Sequence, residues 1–277
     1  MFTILLHSSK TMREPSGKRN KARFEPALIK EARVLMNYLT SLSPKQLKGA
    51  MGVSDSMADK VYEQVAQWNA SNASLPTIDA FLGDIYSGLQ VHAFSDADRE
   101  YAQQHLYILS GLYGVLRALD EIQPYRLEMG YKLPGNKHDK AQPDITNMYA
   151  FWGDAIARQL PQDQTIINLS AVEYTKAVFP HFKSLDAQKA TRIITPKFLT
   201  ISPKTGEPTF VTVHAKVARG AFARWLIQNQ VERLEQLKDF REIGYAYAPQ
   251  LSTENEPVFV AKEFQGIGLS VRLTGKK

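Results

Sequence analysis

The stretch MGVSDSMADKV, residues 51–61, decides how the first helices of this chain are joined. Before it, Ser43-Pro44-Lys45-Gln46 has the pattern of an N-cap, a proline at the first helical position and a capping-box glutamine. After it, apolar residues recur at helical spacing at Val53, Met57, Val61, Val65 and Trp68. The pattern predicts a short helix that ends near Met51, a turn at Gly52, and an amphipathic helix over residues 55–68.

The turn itself allows two interpretations. Gly52-Val53-Ser54, with Ala58 following, fits a helix-hairpin-helix turn over residues 43–68, except that serine replaces the second glycine. Such a hairpin presents backbone N–H groups and the positive end of its second helix to a phosphate, without reading bases. A plain junction between two core helices has the same apolar pattern. If the hairpin binds DNA, the residues that contact it are Lys45, Lys48, Gly52, Val53, Ser54, Asp55 and Lys60.

Helices and strands alternate irregularly along the rest of the chain. Buried strands are predicted at FTILL (2–6) and TIINL (165–169), and an antiparallel hairpin around PKTGEP (203–208). Further predicted helices cover residues 26–39, 96–119, 145–160 and 218–229, and late strands lie near residues 244–249, 257–264 and 268–273. With no repeat and no break in composition, we expect one mixed α/β (α+β) domain over residues 1–277.

Composition excludes several classes of function. The chain has 277 residues, 44% of them hydrophobic, and no cysteine, which excludes disulfides, thiolate metal sites and a cysteine nucleophile. No apolar run approaches the roughly 20 residues that span a bilayer, so we expect a cytoplasmic protein without a membrane partner. The net charge of +6 favours anionic partners if it is focused on one surface. The basic run over residues 9–23 is also typical of a solvated loop.

No strong catalytic motif is present. The sequence lacks a Walker loop, a nucleophile elbow, a paired-histidine zinc helix and a dinucleotide fingerprint. Its histidines are scattered without the spacing of metal ligands, at His7, His92, His105, His138, His181 and His214. We therefore predict structural histidines, no metal site and no cofactor.

Three stretches combine glycines with polar and aromatic residues: FLGDIYSGLQ (81–90), SGLYGVLRALDEIQPYRLEMGYKL (110–133) and HAKVARGAFARWL (214–226). The second places arginines, a tyrosine and a glutamate around Pro124, which predicts either a polar pocket or a buried network that fixes the loop. The third places Lys216, Arg219 and Arg224 near a predicted helix start. Cations oppose the helix dipole there, so the placement favours an anionic partner.

Together these stretches resemble the bacterial YaaA family of peroxide stress response proteins. FLGDIYSGLQ is similar to the family's F-x-G-D-x-Y-x-G-L-Q segment, and residues 102–130 to its longest signature. FWGD (151–154), NLSAVEY (168–174) and KVARG (216–220) follow in the family order. The resemblance covers nearly the whole chain. It departs at residues 7–11, where HSSKT replaces the usual S-P-A-K-T and Lys10 is retained.

The resemblance implies a single compact domain of the type sometimes called the cantaloupe fold, with a helix-hairpin-helix beside a positively charged cleft. It also implies DNA binding and a role in limiting free intracellular iron during hydrogen peroxide stress. Carried over by motif, the hairpin falls on residues 52–58. The basic-cleft candidates are Lys10, Arg117, Arg126, Lys216 and Arg219.

Three functional hypotheses follow, of which direct iron sequestration has the least support, because clusters of hard ligands with recognisable spacing are absent. The first is a non-enzymatic protein that holds the backbone of double-stranded or distorted DNA with little sequence specificity. The second is an enzyme that acts on a phosphate-bearing or nucleobase-like small molecule, an anionic ligand of the same cleft, with Asp84, Tyr86 and Glu128 beside the cations. An open basic groove continuous with Gly52 would favour the first hypothesis, and a deep enclosed pocket the second.

Overall fold

The computed structural model describes residues 2–15, 24–68, 74–135, 144–185 and 191–267. The strands are β1 Phe2–His7, β2 Thr11–Met12, β3 Leu75–Pro76, β4 Phe81–Leu82, β5 Leu106–Ser110, β6 Gly114–Arg117, β7 Glu121–Ile122, β8 Thr165–Asn168, β9 Ile193–Ile194, β10 Lys197–Ile201, β11 Pro208–Thr209, β12 Tyr245–Tyr247 and β13 Val258–Ala261. The α-helices are α1 Ile29–Thr40, α2 Pro44–Met51, α3 Asp55–Gln67, α4 Thr77–Ala80, α5 Asp84–Leu89, α6 Asp96–His105, α7 Met148–Trp152, α8 Ala155–Arg158, α9 Val172–Thr175, α10 Phe179–Leu185 and α11 Thr212–Gln228.

A five-stranded sheet with β1 at its centre organises the fold. Its strand order is β6-β5-β1-β8-β9, with all neighbours parallel except the edge strand β6. Ile4 of β1 is in register with Leu106 on one side and with Ile167 on the other. All six residues of β1 are buried, which is typical of a parallel strand covered on both faces. The predicted strands at residues 2–6 and 165–169 are confirmed.

The C-terminal part adds a four-stranded sheet in the order β11-β10-β13-β12. Helix α11 packs against β10 and also against α5 and α6, and so connects the two sheets. Between α11 and this sheet lie Phe198, Phe222, Phe240 and Phe259, with neighbouring ring centroids 4.9 to 6.2 Å apart. One continuous hydrophobic core contains residues of both sheets. The described residues therefore form a single compact mixed α/β fold.

Helices α2 and α3 form the helix pair that the sequence predicts. The Ser43 hydroxyl accepts a hydrogen bond from the Gln46 backbone N–H, and the Gln46 side chain accepts one from the Ser43 N–H, which completes the capping box. Gly52 ends α2 in the left-handed conformation, at φ 60° and ψ 41°. Ser54 caps α3 by accepting from the Met57 N–H at 3.3 Å. Both helices and the turn at Gly52 are confirmed.

The predicted helix over residues 96–119 is wrong beyond His105. Helix α6 ends there, and the chain continues directly into β5, whose five residues are all buried. A short continuous apolar run has no periodicity that separates a buried strand from a buried helix. The segment forms a strand because it pairs with β1, about 100 residues earlier in the chain, and with β6, which follows it after a turn.

Three other predicted elements change their bounds. The helix over residues 145–160 is split into α7 and α8 at Gly153, which has φ 48°. Helix α11 begins at Thr212 rather than near residue 218, so the predicted hairpin around residues 203–208 keeps only the short strand β11 opposite β10. Lys216 and Arg219 consequently lie inside α11, and the argument from a helix start does not apply to them. The late strands near residues 244–249 and 257–264 are β12 and β13, and residues 268–273 lie outside the described residues.

Candidate functional site

The candidate site lies at the carboxyl end of β1. The chain places β5 on one side of β1 and β8 on the other, so the strand order changes direction at this strand. In α/β sheets, ligands bind in the crevice outside the carboxyl ends of the strands at such a switch point. Here the loop from Ser8 to Lys10 leaves β1 and leads into β2, which pairs with β4. The sheet topology therefore brings β1, β4, β5 and β8 to one end of the molecule.

A buried hydrogen-bond network fills this end of the sheet. The Tyr174 hydroxyl donates to Glu128 Oε2 at 2.9 Å and lies 3.1 Å from the Ser8 hydroxyl. Because the phenol has one proton, Ser8 is the donor of the second bond. The Tyr86 hydroxyl donates to the His7 carbonyl at 3.0 Å. Burial raises the pKa of both phenols well above their ordinary value, so they remain donors at neutral pH.

His7 is held neutral in one tautomer. Its Nδ1 accepts a hydrogen bond from the Ala171 backbone N–H at 3.2 Å, so the proton is on Nε2. Burial, together with the nearby charges of Arg219 and Lys216, lowers the pKa of His7 to about 3. The ring also stacks on Tyr174 with centroids 4.9 Å apart. A neutral imidazole with a fixed tautomer is therefore part of the site.

Two glycines bring α5 and α11 close together. A Cβ on Gly88 would overlap the Val217 carbonyl, and one on Gly220 would overlap the Ile85 carbonyl, so the helix backbones touch where they cross. This crossing sets Asp84, at the start of α5, beside Lys216 of α11 in the lining of one pocket. The glycines in FLGDIYSGLQ and KVARG thus position charged residues on two different helices.

The smaller cavity at this end, here called the β1 pocket, has a volume of about 330 Å³ and is partly open to solvent. Its lining includes the β1 loop from His7 to Lys10, the start of α5 with Asp84 and Tyr86, and Lys216. Glu128, Glu173 and Tyr174 also line it. Burial raises the pKa of Glu128, while Tyr174, Lys10 and Arg126 act in the opposite direction. The pocket therefore combines cations, carboxylates and a neutral imidazole.

A larger open cavity of about 680 Å³, here called the α3 groove, lies next to the pocket. Helix α3 forms one wall, and residues 10–15 and 123–126 form the others. Its cations are Lys10, Lys60 and Arg126, and its carboxylates are Glu14 and Glu63. Lys10 lines both the groove and the β1 pocket, so the two cavities adjoin at this residue.

The structure does not bring all basic-cleft candidates together. Lys10, Arg126 and Lys216 line the two cavities, and Arg219 is close enough to His7 to affect its pKa. Arg117 is elsewhere. It pairs with Tyr107 at the start of β5, stacks over that tyrosine ring at 4.6 Å, and donates to the Gln103 carbonyl. Arg117 therefore fixes the end of α6 against β6 and does not line either cavity.

The hairpin candidates have mixed roles in the structure. Lys60 lines the α3 groove, and Lys45 is exposed on α2. Lys48 forms an exposed ion pair with Asp55 at 2.8 Å. Gly52, Val53 and Ser54 form the turn, at the end of α3 that precedes the groove-lining residues.

The sequence does not single out Ser8 and Tyr174, two buried members of the site, and it predicts only a structural role for His7. A positional signal is present, because His7 ends the buried strand β1, Ser8 directly follows it, and Tyr174 comes six residues after β8. The carboxyl ends of parallel strands meet at one edge, but which strands are neighbours is not visible in a single sequence.

Comparison with known proteins agrees with these observations. A family model described as peroxide stress protein YaaA matches residues 2–251. The chain belongs to this family. It is 50% identical over 270 residues to the UPF0246 protein of Salinispora tropica, and the aligned region covers 97% of each chain. It is 43% identical over 245 residues to the UPF0246 protein of Tolumonas auensis, which covers 85% of this chain and 88% of that protein.

Segments that identified the YaaA family converge at the candidate site. FLGDIYSGLQ supplies Asp84 and Tyr86, the long signature supplies Glu128, NLSAVEY supplies Tyr174, and KVARG supplies Lys216. Across the described ranges, no group of three or more His, Asp or Glu side chains is arranged to hold a metal ion. The described helices also include none with the length and apolar character needed to cross a membrane.

Proposed function

We propose that this protein acts in the cytoplasm during peroxide stress as a non-enzymatic DNA-binding protein that contacts the phosphate backbone with little sequence specificity. The proposal includes the assignment of residues 43–68 as a helix-hairpin-helix and of the fold as the family's cantaloupe type. One observation carries it. Helix α3, which begins at the hairpin, is also the wall of an open groove that contains Lys10, Lys60 and Arg126.

The shape of the groove supports a backbone contact. A duplex that touches Lys60 along α3 would also meet Lys10 and Arg126 on the facing wall. Glu14 and Glu63 line the same groove, so its charge is not purely positive. Residues 16–23 follow Pro15 in the sequence and contain Lys18, Arg19, Lys21 and Arg23. This segment lies outside the described residues. We expect moderate affinity that depends on salt.

Salt-dependent binding tests this proposal. Fluorescence anisotropy of a labelled duplex should give a log affinity that falls linearly with log salt, with a slope of about −3 to −5 for four or five phosphate contacts. Lys60→Glu should weaken binding severalfold, whereas Lys204→Glu, an exposed lysine outside both cavities, should change it little. Equal losses in the two variants, or binding that is indifferent to salt, would overturn the groove as the DNA site.

A role in iron toxicity follows from the same contacts. DNA phosphates bind both Fe²⁺ and cationic side chains. A protein that neutralises phosphates therefore competes with iron at the DNA surface. We propose that this competition limits oxidative damage during peroxide stress. Nicking of supercoiled plasmid by Fe²⁺ and hydrogen peroxide should be slower with the protein than with its Lys60→Glu variant. Equal nicking rates would overturn this part of the proposal.

A second candidate function is an enzyme that acts on a phosphate-bearing or nucleobase-like small molecule. It is supported by the β1 pocket, which a neutral His7 and the buried Glu128 line together with Lys216. Such groups serve as general acids or bases when a substrate is within hydrogen-bond reach. Turnover of a bound nucleotide that is lost in Glu128→Gln would support this candidate, and binding without turnover would exclude it for that ligand.

A further inference from the structure

The β1 pocket has a charge pattern that a simple anion does not explain. Lys10 and Lys216 line it, but so do three carboxylates, those of Asp84, Glu128 and Glu173. Carboxylates repel a phosphate, so a pocket selected only for an anion would not contain them. A ligand with an anionic end for the lysines and an end rich in N–H donors for the carboxylates would complement both groups of side chains.

Glu128 is placed to accept hydrogen bonds from such a ligand. Only its Oε2 has a partner among the described residues, the Tyr174 hydroxyl. Each carboxylate oxygen can accept more than one hydrogen bond, so Glu128 keeps acceptor capacity on the pocket side. Its geometry is fixed, because Tyr174 is held in turn by Ser8 and by stacking on His7. The Glu173 side chain likewise accepts one such bond, from the Gly130 N–H to its Oε1 at 2.8 Å, but Glu173 is exposed rather than buried.

The pocket walls include two anchored aromatic side chains. Tyr86 lines the pocket with its hydroxyl anchored on the His7 carbonyl, and Tyr174 lines it with its hydroxyl anchored on Glu128. Both rings are buried against other rings, so they fix the shape of the wall and the position of Glu128. The volume of about 330 Å³ lies within the range of pockets that hold small molecules.

We infer that this pocket binds a single nucleotide unit, with its phosphate recognised by Lys10 and Lys216 and its base recognised by Glu128. The base that fits best is guanine, because its Watson–Crick edge presents two adjacent N–H donor groups to one carboxylate. This inference deepens the second candidate function and rests on it for the ligand class. It does not require turnover.

The nucleotide has two possible sources. It is either free in solution or extruded from DNA that occupies the α3 groove, because Lys10 lines both cavities. Proteins that read a single base extrude it from the stack into a pocket and recognise its edge there. The ligand chemistry is the same in both cases, so binding of the free nucleotide and extrusion from a duplex are measured separately.

Calorimetric titration tests the pocket with defined ligands. Guanosine monophosphate should bind more tightly than inosine monophosphate, which lacks the 2-amino group, and more tightly than guanosine or inorganic phosphate. Lys216→Gln should lower the affinity for guanosine monophosphate about tenfold, since it removes a charged hydrogen-bond donor. Glu128→Gln should remove the preference for guanosine over inosine monophosphate. Lys204→Gln and Glu207→Gln, both outside the pocket, are the matched controls.

Two further measurements separate this inference from DNA binding. Lys60→Glu should weaken duplex binding but leave guanosine monophosphate binding unchanged. A duplex with 2-aminopurine next to a guanine should become more fluorescent on binding if the pocket takes the extruded guanine, because the probe then loses a stacking neighbour. An unchanged signal with intact mononucleotide binding assigns the free nucleotide. Failure of all guanine ligands to bind at millimolar concentration, or an unchanged preference in Glu128→Gln, overturns the inference even if DNA binds.

Discussion

Lys48 and Asp55 face each other across the hairpin, with Lys48 Nζ 2.8 Å from Asp55 Oδ1. The pair joins the last turn of α2 to the first turn of α3 and leaves both side chains largely exposed. Exposed pairs of this kind stabilise proteins by only about 0–1 kcal/mol. The pair therefore matters less for stability than for the charge that the hairpin presents, since each partner cancels the other's field.

Asp55→Asn should strengthen duplex binding about two- to threefold, because it releases Lys48 to face a phosphate, a change of less than 1 kcal/mol. The stability of the protein should change little, since the variant loses only an exposed ion pair and a favourable charge at the start of α3. Asp59→Asn on the same helix removes the same charge without releasing Lys48. Equal gains in the two variants, measured by anisotropy at low salt, would show that net charge alone matters.

Gly52→Asp should weaken duplex binding severalfold while the protein still unfolds cooperatively. A Cβ at this position meets no atom within 4 Å, so the substitution fits sterically. The positive φ costs about 1–2 kcal/mol for a residue with a Cβ. Gly52→Asn carries the same backbone cost without the charge, and asparagine tolerates this conformation well. If the two variants bind DNA equally, the charge at the turn does not face a phosphate.

The buried His7 should make the protein less stable in acid. Its pKa is lowered to about 3 from 6.5, so between these values the unfolded chain binds more protons than the folded protein. The free energy of unfolding should therefore fall as pH decreases through this window, by at most about 1.4 kcal/mol per pH unit. Denaturant unfolding at pH 7, 6 and 5 measures this effect. The free energy of unfolding should fall less with decreasing pH in His7→Gln than in the wild type. Parallel curves for the two proteins would contradict the assignment.

The buried Asp120 should have the opposite effect on the free energy of unfolding, which it should raise as pH decreases. Burial raises its pKa to about 6 from 3.8, although the carboxylate accepts from the Arg117 N–H at 2.8 Å. The folded protein then binds more protons than the unfolded chain between these values, so the charged carboxylate lowers stability as pH rises from 4 to 6. The total is at most about 3 kcal/mol. Asp120→Asn keeps an acceptor for Arg117 and should gain stability relative to wild type as pH rises from 4 to 8.

Gly220→Ala should destabilise the protein by about 1–3 kcal/mol, because its Cβ would overlap the Ile85 carbonyl at the α5–α11 crossing. Gly49→Ala is the matched control, since it lies within α2 with no atom near its Cβ. It should stabilise the protein by about 0.5–1 kcal/mol through helix propensity. Thermal unfolding measures both, and equal destabilisation would mean that the crossing relaxes easily.

Local features of the chain were predictable because their causes are local. Ser43 and Gln46 form the capping box, Gly52 ends α2, and FTILL forms β1, as the sequence alone indicates. The family was also evident in the order of its motifs, and the family model confirms it over residues 2–251. Hydrogen bonds within one turn of helix depend on neighbouring residues, so one sequence is enough to predict them.

The tertiary structure alone decided which distant residues meet. LYILS is a strand because β1 and β6 pair with it, and Arg117 leaves the candidate cleft because antiparallel pairing carries it to the start of β5. His7 becomes part of a site because Ala171 and Tyr174 approach it from beyond β8. The contacts of β1 with β5 and of His7 with Ala171 join residues more than 100 positions apart, and their free energy depends on burial and pairing that no local pattern encodes.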